Sequence, residues 1–132
     1  MAPAENNAEF LLARARRAAS RAHCLYSNLH VGAGLRCDDG SVVDGCNVEN
    51  ASYGLSVCAE RVALFTAISQ GKQPIEIAVS CIDAQSDAAT GSRMPCGACR
   101  QVMQELLPSK AKVSIDGVGT RHSSNFFLLP LN

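Results

Sequence analysis

Three cysteines at the starts of two predicted helices constrain this chain's fold more than any other feature of its sequence. Cys96 and Cys99 form a Cys-x-x-Cys pair directly after Pro95, and Cys58 stands at the head of an earlier helical run. The chain has seven cysteines, an odd number, and its first residues lack the apolar core and cleavage site of a secretory signal. A disulfide framework is therefore disfavoured, and a shared metal ion would require two helix N-termini to meet.

Hydrophobic patterning predicts alternating helices and strands. Apolar residues recur at helical spacing over 9–25, and two apolar runs around Asp38-Asp39-Gly40 predict a β-hairpin. The other predicted elements are a helix from Cys58 to a stop at Gly71, a strand at 75–82, a helix at 96–107 ended by Pro108, a strand at 112–116, and a final helical turn or strand at 122–129. The hairpin strands are expected at 31–37 and 41–48. This order predicts an α/β fold, a three-layer α/β/α sandwich with a mixed central sheet and metal-bearing loops at strand ends.

The length and charge of the chain limit the kinds of molecule that it is expected to bind. The 132 residues suit a single domain spanning 1–132. Twelve Lys and Arg balance twelve Asp and Glu, so a broad cationic face for nucleic acid is not evident and a small neutral ligand is favoured. No apolar stretch is long enough to span a bilayer, and we expect a cytoplasmic protein without membrane association.

The spacing of the three thiols predicts a catalytic zinc site. The predicted ligands Cys58, Cys96 and Cys99 leave the fourth position of a tetrahedral zinc open for a water molecule. Glu60 follows Cys58 by two residues, so it can lie near the open position without binding zinc, and we expect it to act as general acid and base. Arg61 can donate hydrogen bonds to thiolate sulfur, which offsets the negative charge of three thiolates as the helix N-termini also do.

Purely structural roles are the alternative explanation for these cysteines and histidines. A Cys-x-x-Cys pair taken alone is often a structural zinc knuckle or a redox pair. Because three thiols already complete the ligand set, His23, His30 and His122 are expected to be structural. The remaining cysteines fall in helix or strand patterns and are expected to be small core residues: Cys24, Cys37, Cys46 and Cys81.

Cys58-Ala59-Glu60, combined with Pro95-Cys96-Gly97-Ala98-Cys99 on predicted helix starts, is the signature of the zinc deaminases. Along nearly its whole length the chain resembles the small homotetrameric cytidine deaminases. The blocks that carry the resemblance are Tyr26-Ser27, Val31-Gly32-Ala33, Gly45-Cys46-Asn47-Val48-Glu49-Asn50, Cys58-Ala59-Glu60-Arg61 and Pro95-Cys96-Gly97-Ala98-Cys99-Arg100-Gln101. The resemblance implies hydrolytic deamination of cytidine or deoxycytidine to the uridine product and ammonia, with one zinc ion per subunit. It also implies a homo-oligomer, expected to be a tetramer.

The resemblance further implies substrate-binding roles by position. Asn47 and Glu49 would hydrogen-bond the ribose hydroxyls, and the Ala59 backbone with Glu60 would hold the pyrimidine. Tyr53 would reach the site of a neighbouring subunit. Asn47 and Glu49 are two residues apart near a strand end and can face the same way, although the capping of a loop is the alternative.

Two departures from the family pattern leave the substrate open. Leu29 stands where family members usually have a Phe that packs on the substrate. The sequence stops at Asn132, before a further Phe that closes the adjacent subunit's pocket, unless Phe126 or Phe127 substitutes for it. Because aromatic contacts with a base are worth roughly 1–3 kcal/mol each, these changes alter substrate preference.

Three alternative functions remain open. One is a deaminase specialised for a modified cytosine nucleoside such as blasticidin S. The second, from a different class, is a non-catalytic zinc-stabilised binding protein, against which Glu60 argues because a structural site has no need of that acid. The third, polynucleotide editing, is disfavoured by the balanced charge.

Overall fold

The computed structural model describes residues 7–84 and 95–122. The elements in chain order are α1 (Ala8–Ala19), β1 (Val31–Cys37), β2 (Val42–Cys46), a short 3₁₀ turn (Tyr53–Leu55), α2 (Ala59–Ser69), β3 (Pro74–Cys81), α3 (Gly97–Leu106), β4 (Lys112–Ile115) and β5 (Gly119–His122). Within the described ranges, no helix has the length and apolar character needed to cross a membrane.

The predicted hairpin forms β1 and β2, which pair antiparallel. Gly40 has φ of 86°, a left-handed conformation that glycine adopts without steric cost. The Asp39 carboxylate accepts a hydrogen bond from the Ser41 amide at 2.9 Å, as aspartate side chains commonly do in turns. The Asp-Asp-Gly segment thus encodes its turn locally, and the prediction of a hairpin here is confirmed.

Five strands form one sheet in the order β2-β1-β3-β4-β5. β3 and β4 are parallel, whereas the other neighbouring strands are antiparallel. Parallel neighbours need a crossover connection, and α3 lies in the segment between β3 and β4. The sheet is therefore mixed, as predicted.

Helices cover both faces of the sheet. On one face α1 approaches so closely that a Cβ placed on Gly32 would lie 1.9 Å from the Ala15 carbonyl oxygen. On the other face α2 and α3 enclose the main core, where the largest fully buried side chains include Leu35, Leu64 and Met103. The predicted fold class, a three-layer α/β/α arrangement, is confirmed.

The ends of α1 and the last strand differ from the prediction. Helix α1 ends at Ala19, not near residue 25, because the chain turns to place the His23 amide 3.0 Å from the Asn47 carbonyl. At the other end β5 is Gly119–His122, whose exposed polar residues gave no strand pattern, and it pairs with β4. The rest of the predicted last element, with Phe126 and Phe127, lies outside the described residues.

Candidate metal centre and active site

The N-termini of α2 and α3 bring three thiols together. Cys58 is the N-cap of α2, Cys96 is the N-cap of α3, and Cys99 lies in the first turn of α3. The three sulfur atoms all lie within 4.8 Å of one another. The sulfur of Cys96 is 3.6 Å from that of Cys58 and 3.3 Å from that of Cys99.

The spacing and chemistry of these thiols fit a zinc ion. Zinc–sulfur bonds of about 2.3 Å place the sulfurs of a tetrahedral site about 3.8 Å apart, close to the distances observed. Among the described residues, this group includes no further His, Cys, Asp or Glu that could be a ligand. The donor set therefore matches a three-ligand site with one position open, and free amides of two helix N-termini stabilise its negative charge.

Electrostatics at the cluster favour a thiolate at Cys58. Hydrogen bonding with the Cys99 thiol, followed by the Arg61 guanidinium, lowers the pKa of Cys58 to about 5. The Arg61 guanidinium nitrogen lies 3.6 Å from the Cys58 sulfur. Hydrogen bonding with Cys58 and burial raise the pKa of Cys99 in turn. One thiol thus ionises readily before a metal binds, and zinc binding would ionise the others.

Glu60 lies in the first turn of α2, two residues after Cys58. Its side chain is buried, with 4% of the residue exposed. Burial raises the pKa of Glu60 to about 7, and the negative charge of Cys58 adds to this effect. A carboxyl group with a pKa near neutrality can both accept and donate a proton during a reaction.

A cavity of about 670 Å³ opens beside the cluster. It is lined by the predicted site residues Asn47, Glu49, Tyr53, Cys58, Arg61 and Cys96, together with Tyr26, Ser27, Asn50, Gly54, Ser56, Val57 and Ala98. The predicted residues Leu29, Ala59, Glu60 and Cys99 are not in its lining. Cys99 and Ala59 are fully buried, whereas half of Leu29 is exposed.

The two predicted sugar-binding residues hold their own surroundings in place. The Asn47 side chain accepts a hydrogen bond from the Val31 amide and donates one to the Leu29 carbonyl, both at 2.9 Å. The Glu49 carboxylate accepts hydrogen bonds from Ser27, and these lower the pKa of Glu49. Both residues therefore cap loops, as the alternative explanation held, and both also face the cavity.

A family model described as the cytidine and deoxycytidylate deaminase zinc-binding region matches residues 5–115. The chain belongs to this family. A cytidine deaminase of Halalkalibacterium halodurans is 46% identical over 105 residues, which cover 80% of this chain and 76% of that protein. The crystal structure of a cytidine deaminase from Burkholderia pseudomallei superposes with a TM-score of 0.81 at 39% identity, covering 95% of this chain and 99% of that one. A blasticidin-S deaminase of Bacillus cereus is 30% identical over 82 residues, which cover 60% of this chain and 59% of that protein.

Membership of the deaminase family confirms the predicted family, fold class, enzyme class and use of zinc. The three histidines lie apart from the thiol group: His30 pairs with Asp83 at 2.9 Å, and a ring nitrogen of His122 lies 3.1 Å from the Lys110 carbonyl oxygen. Cys24 and Cys37 are buried, and Cys46 and Cys81 are half-buried.

No role is predicted for Tyr26 and Ser27 from the sequence, although both lie in a block that carries the deaminase resemblance. The structure places both at the cavity and in contact with Glu49. The pairing spans 22 residues of chain from Ser27 to Glu49, so no local pattern could reveal it. Only the recurrence of the dipeptide in the family pattern pointed to this position.

Proposed function

We propose that this chain is a zinc-dependent cytidine deaminase whose zinc ligands are Cys58, Cys96 and Cys99 and whose proton carrier is Glu60. The observation that carries the proposal is the position of Glu60, which is buried in the first turn of α2 two residues from Cys58, one thiol of the three-sulfur cluster. The overall reaction consumes cytidine and water and produces uridine and ammonia.

Zinc, when bound by the three thiolates, would act as a Lewis acid toward a water molecule at the open position. Glu60 would accept a proton from the water as the water oxygen bonds to C4 of the ring, and would deliver that proton to N3. Glu60 would then move the proton of the new C4 hydroxyl to the amino group, so that the bond from C4 to the amino nitrogen breaks, ammonia leaves and the C4 carbonyl of uridine remains. The buried surroundings of Glu60 suit this role because they keep its pKa near neutrality.

The remaining site residues bind the nucleoside. We assign the ribose hydroxyls to Asn47 and Glu49, which both line the cavity. The backbone of Ala59 holds the pyrimidine, since Ala59 is the first residue of α2 and the first-turn amides of a helix have no partner within the helix. Leu29 takes the place of an aromatic residue against the base.

We also propose that the enzyme is a cytoplasmic homotetramer of single-domain subunits. Tyr53 is 87% exposed at the cavity rim and can reach a neighbouring subunit. Leu25, Tyr26 and Leu55 are also largely exposed, and exposed apolar residues in one region are typical of protein interfaces. All seven cysteines are free, as expected for a reducing compartment. The described strands form one sheet, as expected for one domain.

The test compares the steady-state deamination of cytidine by the native protein and by Glu60→Gln at matched zinc content. The release of ammonia measures the reaction. We expect Glu60→Gln to lower kcat by about 10²–10⁴-fold, the usual contribution of general acid and base catalysis. Glu105→Gln, at an exposed position of α3, is the control and should leave kcat unchanged. Retention of full activity by Glu60→Gln would contradict the proposed role.

Leu29 supports a second candidate, a deaminase for a modified cytosine nucleoside of the blasticidin S type. A smaller side chain at this position leaves more room beside the base than the Phe that is usual in the family. Comparison of kcat/KM on cytidine, deoxycytidine and blasticidin S separates the two candidates. A much higher value on blasticidin S would favour the second.

A further inference from the structure

The loop between α1 and β1 is wrapped around the carboxylate of Glu49. Oxygen Oε1 of Glu49 accepts hydrogen bonds from the backbone amides of Tyr26 at 3.2 Å and Ser27 at 3.1 Å. Oxygen Oε2 accepts one from the Ser27 hydroxyl at 2.5 Å. Asn28 has φ of 59°, a left-handed conformation that Asn tolerates better than most residues. The conformation of the loop is thus fixed immediately beside Ser27.

The Ser27 hydroxyl has a defined direction. Its oxygen accepts a hydrogen bond from the Leu29 amide at 3.0 Å. A serine hydroxyl carries one proton, and the accepted bond from Leu29 leaves that proton directed to Oε2 of Glu49. Leu29, Ser27 and Glu49 therefore form a chain of hydrogen bonds that ends at the cavity wall.

The two carboxylate oxygens of Glu49 differ in the capacity that remains for a ligand. Each oxygen of a carboxylate accepts about two hydrogen bonds. Oε1 already accepts two bonds from the loop backbone, whereas Oε2 accepts one, from Ser27. A ligand hydroxyl would thus find its acceptor at Oε2, on the oxygen that Ser27 holds.

We propose that Ser27 is a positioning residue for substrate binding, which holds the Glu49 carboxylate so that Oε2 accepts a ribose hydroxyl of the nucleoside. The inference rests on the proposed function, in which Glu49 binds the sugar. The ribose is remote from the reacting C4 atom, so we expect its contacts to change little between the ground state and the transition state. Loss of Ser27 should therefore raise KM and leave kcat unchanged.

A merely structural role for Ser27 makes a different prediction. If the hydroxyl only stabilised the loop, its loss would lower stability or activity on every nucleoside alike. A positioning role acts through one carboxylate and one sugar hydroxyl, so it disappears when either is removed. Substrates without the 2′ and 3′ hydroxyls and variants without the Glu49 carboxylate distinguish the two roles.

The experiment measures KM and kcat for Ser27→Ala on cytidine and on 2′,3′-dideoxycytidine, which lacks the 2′ and 3′ hydroxyls. We expect KM for cytidine to rise by about 10–150-fold, the factor that corresponds to losing one hydrogen bond to a charged group. On the dideoxy substrate, kcat/KM should match that of the native protein. Ser69→Ala is the control, because Ser69 is an exposed serine at the opposite end of α2 from Cys58.

Two further comparisons separate the hydroxyl from changes of shape. Ser27→Thr keeps the hydroxyl and should retain a low KM. Ser27→Val has nearly the same shape as Ser27→Thr but no hydroxyl, so it should behave like Ser27→Ala. In a Glu49→Ala background, Ser27→Ala should have no further effect on KM, because the residue acts through that carboxylate.

The outcomes also separate this inference from the proposed function. The positioning role alone would be overturned if the native protein deaminates cytidine but Ser27→Ala leaves KM unchanged. It would also be overturned if Ser27→Ala lowers kcat/KM equally on both substrates. A zinc-replete native protein without cytidine turnover would overturn the proposed function, and the role of Ser27 with it.

Discussion

Arg61 donates a hydrogen bond to the thiol cluster, with its guanidinium 3.6 Å from the sulfur of Cys58. Three thiolates carry more negative charge than one zinc ion neutralises, and this donor offsets part of the excess. We predict that Arg61→Ala lowers zinc affinity or activity by about 10–100-fold, as is usual when a partner of a metal ligand is removed.

Competition with a chromogenic chelator measures the zinc affinity, and cytidine turnover at saturating zinc measures the activity. Arg17→Ala removes an exposed arginine of α1 and serves as the matched control. Unchanged zinc affinity and unchanged turnover in Arg61→Ala would contradict a supporting role for this residue.

The proposed contact between Leu29 and the base can be tested by restoring the aromatic side chain. Because an aromatic ring stacked on a base contributes roughly 1–3 kcal/mol, Leu29→Phe should lower KM for cytidine by at least about fivefold. The same ring narrows the pocket, so kcat/KM for blasticidin S should fall. Steady-state kinetics on both substrates tests this, and an unchanged KM for cytidine would show that residue 29 does not contact the base.

At the residue scale, the sequence predicted the parts of the site that depend on local spacing. Cys96 and Cys99 are one turn apart on α3, and Glu60 is tied to Cys58 by two residues of chain, so their relation needs little tertiary information. The contact between Ser27 and Glu49 depends on how two distant loops pack, which no local pattern encodes.

At the element scale, α1 and β1 pack with backbone against backbone. A Cβ on Gly32 would lie 1.9 Å from the Ala15 carbonyl oxygen, so Gly32→Ala must push the helix away from the sheet. We predict a loss of about 1–3 kcal/mol or more in the free energy of unfolding, as overpacked cores show.

Urea unfolding followed by circular dichroism measures this loss. Gly54→Ala is the control, because nothing lies within 4 Å of a Cβ at that position. A Gly32→Ala protein with the same free energy of unfolding as the native protein would contradict the close packing of α1 on β1.

Element ends were harder to predict than element types. The helical pattern of alanines and arginines continues past Ala19, but the chain leaves the helix because the His23 backbone pairs with the segment after β2. β5 lacks an apolar face altogether and exists because β4 offers it hydrogen-bond partners. Tertiary pairing outweighs local propensity in both cases.

At the scale of the whole molecule, the proposed tetramer is directly measurable. Light scattering on a sizing column should give about four times the chain mass of 13.9 kDa. Leu55 is 65% exposed, and Leu55→Asp should dissociate the assembly and abolish turnover together if, as proposed, neighbouring subunits complete the site. Ala13→Asp, at an exposed position of α1, should change neither property. An active native monomer would contradict the shared site.

The most direct test of a zinc-dependent cytidine deaminase is a titration of the metal-free chain with zinc, with bound zinc and cytidine turnover measured on the same samples. We predict negligible turnover without zinc and a linear rise that levels off at one zinc ion per chain. Full turnover in the metal-free protein, or none at one bound zinc per chain, would contradict this function.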